Sequence, residues 1–366
     1  MPASVTLRAI AAKAGLSAAA VSHALRNSPE VSAATRDRVR EIALRMGWRP
    51  NPTVAAWMAH RRSGKGASAG ECIAYLNCFP DLQAWSRLLS GTRFVEGAKS
   101  RARELGFRIE EFWFYDPAIS AKRMESILKA RGIRSILIGS AATAHAHVTL
   151  DWTSFSAVAQ GFSVARPQVS RAANDYTHSV SLAIRELRRL GYRRIGLHLW
   201  PQVDARCQRQ FSGAFLAYQG LLEAKDRVPI FTSPARHTAK VRRWLEATRP
   251  EAILSHQIEM KAAVQSMGRQ VPAEIGFAML DLHPKPHHAD PPQDGCAGVD
   301  MLVETAGAAA VDLLAAQMLA NETGLPAHPR IILTRGRWVP GSSVRKIGPV
   351  AGLPGLPKLT SLIETG

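Results

Sequence analysis

The stretch from residue 6 to residue 25 reads T-L-R-A-I-A-A-K-A-G-L-S-A-A-A-V-S-H-A-L and predicts two short helices joined by a turn. Thr6 is suited to cap the first helix and Gly15 to end it, while Ser17 is suited to cap the second. Apolar side chains recur at helical spacing in both halves, so each helix presents one inward face. This pattern is typical of a helix-turn-helix, in which the second helix enters the major groove of DNA.

A third helix is predicted after Ser32, with apolar residues on one face, arginines on the other and Gly47 as its end. Residues 1–66 carry 11 Lys and Arg against 3 Asp and Glu, a net charge of +8, whereas the other 300 residues carry a net charge of +10. A compact basic head on a larger and milder body favours binding to nucleic-acid phosphates. A three-helix bundle with no role in DNA binding is the alternative interpretation.

The segment that follows, residues 48–66, reads W-R-P-N-P-T-V-A-A-W-M-A-H-R-R-S-G-K-G. Pro50 and Pro52 break the third helix, because proline lacks the N–H that a helix interior needs. A short apolar turn then precedes two arginines and a Gly/Ser-rich run. The segment is therefore interpreted as a hinge between the head and the body.

Bulk composition excludes several classes of protein. The chain has 366 residues, of which 46% are hydrophobic and 21% charged, as expected for two or three globular domains rather than a disordered polymer. No stretch reaches the roughly 18 apolar residues that a membrane helix needs, and residues 1–25 do not resemble a secretory signal. The sequence therefore predicts a cytoplasmic protein whose four widely spaced cysteines stay reduced.

From residue 71 onward, strand-like and helix-like segments alternate. Strands are predicted at 71–79, 107–114, 135–139, 156–161, 194–199, 251–256 and within 271–282. Helices are predicted at 91–106, 120–131, 175–190, 209–224, 237–248 and 258–268. Repeated units of this length form parallel sheets with helices on both faces, so the sequence predicts an α/β body of doubly wound sheets behind an all-α head.

The two halves of the head resemble the lactose repressor (LacI/GalR) family in residues 5–27 and 31–51. Weaker motifs in the body follow in the family's order, at 174–176, 188–196, 271–281, 321–326 and 336–344. The resemblance implies a two-lobed effector domain similar to periplasmic sugar-binding proteins. It also implies a homodimer, in most members a repressor, that reads a pseudo-palindromic operator and responds to a small, sugar-like molecule.

The resemblance also indicates which residues meet DNA. They are Thr6, Ser17, Ala18, Ala19, Ser22, His23, Arg26 and Asn27 in the head, and Val54, Trp57 and Met58 in the hinge. The family usually has a leucine at the position of Trp57, which is inserted between base steps where paired hinge helices open the minor groove. Met58 is the alternative wedge. Alanine reads only a thymine methyl group, so His23, Arg26, Asn27 and the hinge are expected to carry most of the sequence readout.

The effector is expected between the lobes, outside the carboxyl ends of the strands. Asp281 matches the family's effector-binding aspartate, His256 falls where the family often has asparagine, and Gln160 ends a first-lobe strand. The family's usual arginine aligns with Phe211, so either Arg206 or Arg209 substitutes for it or an aromatic ring stacks on the ligand. Ordinary packing at strand ends is the alternative for each of these residues.

The sequence carries none of three common motifs of an enzyme or a cofactor site, G-x-G-x-x-G, G-x-x-x-x-G-K-[ST] and H-E-x-x-H. Two histidine groups, at 145–147 and at His283, His287 and His288, favour solvated loops over a metal site. A sugar-binding or sugar-processing protein with an incidental basic head is the rival hypothesis.

The predicted domains are a DNA-binding head (1–50), a hinge and linker (51–70), an effector-binding and dimerisation domain (71–345) and a flexible tail (346–366). The tail lacks the heptad repeat of a tetramer-forming coiled coil.

Overall fold

The computed structural model describes residues 7–25, 31–46, 71–86, 88–283 and 295–348. The chain forms two compact units, Met1–Ala67 and Ser68–Gly366. Several predicted site residues lie outside the described ranges: Thr6, Arg26, Asn27, Val54, Trp57, Met58, His287 and His288. None of the helices within the described ranges is long and apolar enough to cross a membrane.

The N-terminal unit contains the three predicted helices, α1 (Leu7–Ala14), α2 (Ala18–Leu25) and α3 (Ala33–Arg45). Their inward faces form a small apolar core of Ile10, Ala11, Ala14, Val21, Ala24, Val39 and Ala43. The predicted serine caps are present: Ser17 Oγ accepts from the Ala20 N–H at 3.1 Å, and Ser32 Oγ accepts from the Thr35 N–H at 3.3 Å. Ala18, Ala19, Ser22 and His23 lie within α2.

The larger unit consists of two lobes, each built on its own sheet. The first-lobe strands are β1 (Cys72–Cys78), β2 (Arg108–Trp113), β3 (Ser135–Ala141), β5 (Ser156–Gln160), β7 (Ser170–Asn174) and β12 (Ile331–Thr334), with β4 (Ala146–His147) and β6 (Val164–Arg166) forming a separate small sheet. The six-stranded sheet has the order β12-β7-β5-β3-β1-β2 and is parallel throughout. The predicted parallel sheet is confirmed for this lobe.

The second-lobe sheet has the order β13-β11-β10-β9-β8, in which only β13 is antiparallel to its neighbour. Its strands are β8 (Ile195–His198), β9 (Ala252–Ser255), β10 (Gly276–Met279), β11 (Ala297–Asp300) and β13 (Arg337–Val339). The helices of the two lobes are α4 (Leu82–Ser86), α5 (Leu89–Leu105), α6 (Ala121–Ala130), α7 (Tyr176–Leu190), α8 (Pro201–Arg206), α9 (Gln210–Gly220), α10 (Thr238–Thr248), α11 (Glu259–Ser266) and α12 (Val303–Leu319).

The chain crosses between the lobes three times, after β7, after β11 and after β12. Asn174, the last residue of β7, connects all three crossings. Its side-chain N–H groups donate to the Met301 carbonyl at 2.7 Å and to Thr334 Oγ1 at 3.2 Å. Because Asn174 is buried, these bonds fix the crossing strands where the lobes face each other.

One predicted helix has different bounds. The segment predicted as a single helix over 209–224 forms α9 only over Gln210–Gly220, after a separate short helix α8. Gln208 and Arg209 between them take left-handed backbone angles, with φ of 54° and 58°. A non-glycine pair in this region breaks the helical path, which ends α8 and redirects the chain into α9.

Candidate functional site

A cavity of about 440 Å³ lies between the two lobes of the larger unit. Ser140, Gln160 and Asn174 contribute from the carboxyl ends of first-lobe strands, and His256 and Asp281 follow the carboxyl ends of second-lobe strands. Its position matches the usual ligand site of parallel α/β sheets, and its volume lies in the usual range for small molecules.

Polar groups without a partner gather on the second-lobe wall. Buried nitrogen and oxygen atoms of four lining residues make no hydrogen bond within the described parts of the chain: Trp200 Nε1, Arg206 Nε, both ring nitrogens of His256, and Asp281 Oδ1. Buried polar atoms are normally paired, because leaving one unpaired costs about 1–3 kcal/mol. Their concentration at one cavity indicates a site that is completed by a polar ligand or by water.

His256 is backed by a second, fully buried histidine. Its ring stacks on His198 at a centroid distance of 5.9 Å, and Trp200 meets it edge-on at 6.1 Å. Burial lowers the pKa of His198 to about 4, and burial together with the neighbouring His198 lowers the pKa of His256 to about 3. Both imidazoles are therefore neutral near pH 7, so His256 offers one donor and one acceptor to a ligand.

We expect the buried His198 to make the effector unit sensitive to acid. The folded pKa lies below the unfolded value of 6.5, so the unfolded chain binds more protons as the pH falls through this window. At about pH 5, the lowered pKa of His198 should reduce the free energy of unfolding by about 2 kcal/mol relative to its value above pH 7. Urea unfolding of the protein and of His198→Gln at both pH values checks this; an equal loss in the two proteins would contradict it.

Gln160 lies on the opposite wall, where its Oε1 accepts from Tyr75 Oη at 3.1 Å and from the Ser140 N–H at 3.2 Å. Burial raises the pKa of Tyr75, so the phenol keeps its proton and donates. Both bonds use the carbonyl oxygen, which leaves the amide NH₂ of Gln160 to donate to a ligand.

An aromatic group forms another part of the wall. Tyr176 lies between Phe211, at a centroid distance of 4.9 Å, and Phe162, at 6.4 Å. Burial raises the pKa of Tyr176 well above its ordinary value, so this ring stays uncharged. Flat aromatic faces suit the C–H faces of a sugar ring or another planar ligand.

Of the six predicted effector residues, the structure brings Gln160, Arg206, Phe211, His256 and Asp281 to this cavity. Arg206 also lies over the Phe79 ring, at 5.6 Å. Arg209 is exposed and is absent from the lining, and its left-handed backbone lies between the end of α8 and the start of α9. Of the two arginines that the sequence suggested as effector contacts, the geometry favours Arg206.

Sequence reasoning missed several lining residues: Asn174, Tyr176, Trp200 and His283. Asn174 and Tyr176 belong to a quoted family motif, N-D-Y, and that motif was the signal available for them. Trp200 follows a predicted strand, but a tryptophan after a strand is more often core than ligand contact. Within the described residues, no group of three or more His, Cys, Asp or Glu side chains is arranged to hold a metal ion.

A helix-turn-helix head followed by a two-lobed domain with a ligand-sized cavity defines the class of ligand-responsive DNA-binding regulators. Residues 6–51 match the family model of bacterial regulatory proteins of the lacI family, and residues 184–344 match that of the periplasmic binding protein-like domain. The chain therefore combines a head of the lacI family of bacterial regulatory proteins with a periplasmic binding protein-like body. It is a DNA-binding transcriptional regulator and not an enzyme.

Solved structures agree on the fold. The chain is similar to a lac repressor dimer bound to operator and the anti-inducer ONPF, with 19% identity, a TM-score of 0.54, and coverage of 94% of this chain and 100% of that one. It is similar to a complex of the transcriptional regulator CelR with cellobiose (18% identity, TM-score 0.52, 93% and 99% covered). A LacI family regulator from Enterococcus faecium with bound ribose is also similar (14% identity, TM-score 0.50, 76% and 100% covered). No curated protein sequence matches the chain.

Proposed function

We propose that the protein acts in the cytoplasm as a homodimer that binds a pseudo-palindromic operator, and that a sugar-like effector in the interlobe cavity changes its affinity for that operator. The observation that carries the proposal is the group of unpaired polar atoms on Trp200, Arg206, His256 and Asp281, gathered at one cavity between two lobes. A ligand that pairs these second-lobe atoms and also contacts Gln160 on the first-lobe wall stabilises one arrangement of the lobes over another.

The chemistry of the lining favours a ligand rich in hydroxyl groups. Asp281 and the Gln160 amide offer an acceptor and a donor, and neutral His256 offers one of each. Hydroxyl groups both donate and accept, so a sugar satisfies all three, and the aromatic wall suits its apolar face. Two similar structures hold cellobiose and ribose, in agreement with this class of ligand.

In the head, we propose that α2 enters the major groove and that residues 51–70 form the hinge. The basic side chains of the head supply most of the affinity through phosphate contacts, and the predicted base-reading residues supply the specificity. His23, Arg26 and Asn27 are assigned the readout, and Trp57 the wedge at the operator centre.

Trp57→Gly should weaken specific operator binding by about 2 kcal/mol or more and leave non-specific binding nearly unchanged, because the wedge acts only where the minor groove is opened. Fluorescence anisotropy with operator and with scrambled duplex measures both affinities. Unchanged operator affinity, with normal bending of the DNA, would show that Trp57 is not the wedge.

Two measurements test the proposed function as a whole. Selection from random-sequence DNA should recover a site with two-fold symmetry, bound by two chains with strong salt dependence. Calorimetry with D-glucose, D-galactose, D-ribose and cellobiose should find at least one sugar that binds with one site per chain. Selection of no symmetric site would contradict the operator proposal, and no binding by any sugar would contradict the effector class.

A further inference from the structure

Arg93 joins the two lobes beside the cavity. It lies on α5 of the first lobe, and its Nε and one terminal nitrogen donate to the two carboxylate oxygens of Glu304 at 2.6 and 2.7 Å. The same terminal nitrogen reaches Asp300, the last residue of β11 in the second lobe, at 3.4 Å. The other terminal nitrogen lies 2.8 Å from Nδ1 of His283, which lines the cavity.

The contact with Arg93 fixes which nitrogen of His283 carries the proton. A guanidinium group only donates hydrogen bonds, so the ring nitrogen that faces it must accept. Nδ1 of His283 therefore carries no proton, and in the neutral ring the proton resides on Nε2. The bidentate pair with Glu304 holds the guanidinium plane in place, so the guanidinium keeps facing Nδ1 and His283 stays in the Nε2–H tautomer.

The Nε2 atom of His283 lies 3.7 Å from Oδ1 of Asp281, too far for a direct hydrogen bond. That carboxylate oxygen is buried and has no hydrogen-bond partner among the described residues. The two atoms are spaced so that one hydroxyl group can meet both, accepting from Nε2–H and donating to Oδ1 at ordinary distances.

We propose that Arg93 is a positioning residue that holds His283 as the Nε2–H tautomer, so that His283 and Asp281 together bind one hydroxyl group of the effector. The assignment of the hydroxyl rests on the proposed function; the tautomer does not. The pair discriminates by chemistry, because a ligand with hydrogen or an ether oxygen in place of that hydroxyl leaves a donor or an acceptor unpaired.

The tautomer can be measured without any ligand. Long-range ¹H–¹⁵N spectra of histidine rings distinguish Nε2–H from Nδ1–H, and loss of one signal set in His283→Gln assigns the ring. We expect His283 to be Nε2–H in the protein, to become a mixture in Arg93→Met, and to return to Nε2–H in Arg93→Lys, because an ammonium group also only donates.

The matched control is Arg101→Met. Arg101 lies on the same helix and pairs with Asp312 of α12 at 2.7 Å, so its loss removes a comparable contact between α5 and α12 away from the cavity. It should leave the His283 signals unchanged. A ring that stays Nε2–H in Arg93→Met, or that changes equally in Arg101→Met, would overturn the assignment of Arg93.

Binding of a sugar tests the second half of the proposal, with the tightest binder among D-glucose, D-galactose, D-ribose and cellobiose as the probe. Arg93→Met should weaken its affinity on the order of 10-fold, and Arg93→Lys should recover most of this loss. In a His283→Gln background, where an amide supplies the donor without a choice of tautomer, Arg93→Met should have little effect. Equal losses in both backgrounds would overturn the positioning role. If no sugar binds the unmodified protein, the proposed effector class fails, while the ring spectra still decide the tautomer.

Discussion

Asp281→Ala is expected to abolish the response to the effector and to leave operator affinity unchanged in its absence. Asp281 follows β10 at the cavity, and its Oδ1 is buried without a hydrogen-bond partner among the described residues. A hydrogen bond from a ligand hydroxyl group to this charged and partly buried carboxylate contributes enough that its removal should weaken binding about 100-fold. The head is a separate compact unit with its own core, so its fold should survive the substitution.

The measurement pairs calorimetry, with the best-binding sugar, and anisotropy with selected operator DNA. Glu259→Ala provides the matched control, because Glu259 also lines the cavity but is exposed and is expected to contribute little. Retained sugar affinity in Asp281→Ala would refute its role. An equal loss in both variants would mean that the overall charge of the cavity matters, and not the position of Asp281.

Gly307→Ala is expected to destabilise the effector unit by about 3 kcal/mol, a large effect for one methyl group. Helices α5 and α12 approach closely at two glycines: a Cβ on Gly307 would lie 2.0 Å from the Phe94 carbonyl oxygen, and one on Gly97 would lie 2.0 Å from that of Glu304. The clashing atoms belong to the backbone on both helices and cannot move aside as a flexible side chain can, so the helices must separate.

The same substitution at Gly213 is the control and should have the opposite sign. Gly213 lies within α9, and a Cβ there would meet nothing within 4 Å. Alanine in an open helix position should stabilise the protein by about 0.5–1 kcal/mol, because glycine loses more backbone entropy on folding. Urea midpoints for the two variants measure the difference. Equal stability of Gly307→Ala and the unmodified protein would show that the two helices are not in such close contact.

The sequence predicted the strands of the body where residues buried on both faces form continuous apolar runs, as in β1 and β3. It missed β7, Ser170–Asn174, although this strand is also fully buried. The reason is Arg171, which makes the segment look polar. Its guanidinium donates to the Gly161 carbonyl at 3.0 Å and lies over the Phe162 ring at 5.7 Å, so the charge is accommodated by contacts that no local pattern shows.

The residues of the candidate site also fall into those that the sequence could predict and those that it could not. Asp281 and His256 could be predicted because strand ends of one parallel sheet meet at one edge, and Gln160 because it ends a strand of the sheet in the other lobe. The family resemblance indicated their order along the chain. The choice between Arg206 and Arg209 depended on two left-handed residues that break a helix, and sequence periodicity does not reveal them. The contact between Arg93 and His283 joins residues 190 positions apart and is visible only in three dimensions.

The central claim is that occupancy of the interlobe cavity changes the affinity of the head for DNA. The most direct test is anisotropy with a duplex recovered by selection, titrated with the unmodified protein in the presence and absence of a saturating sugar that calorimetry shows to bind. We predict that the midpoint of the DNA-binding curve shifts by about 10-fold or more, as expected for coupling between two sites. Superimposable curves, with the sugar bound at one site per chain, would contradict the account.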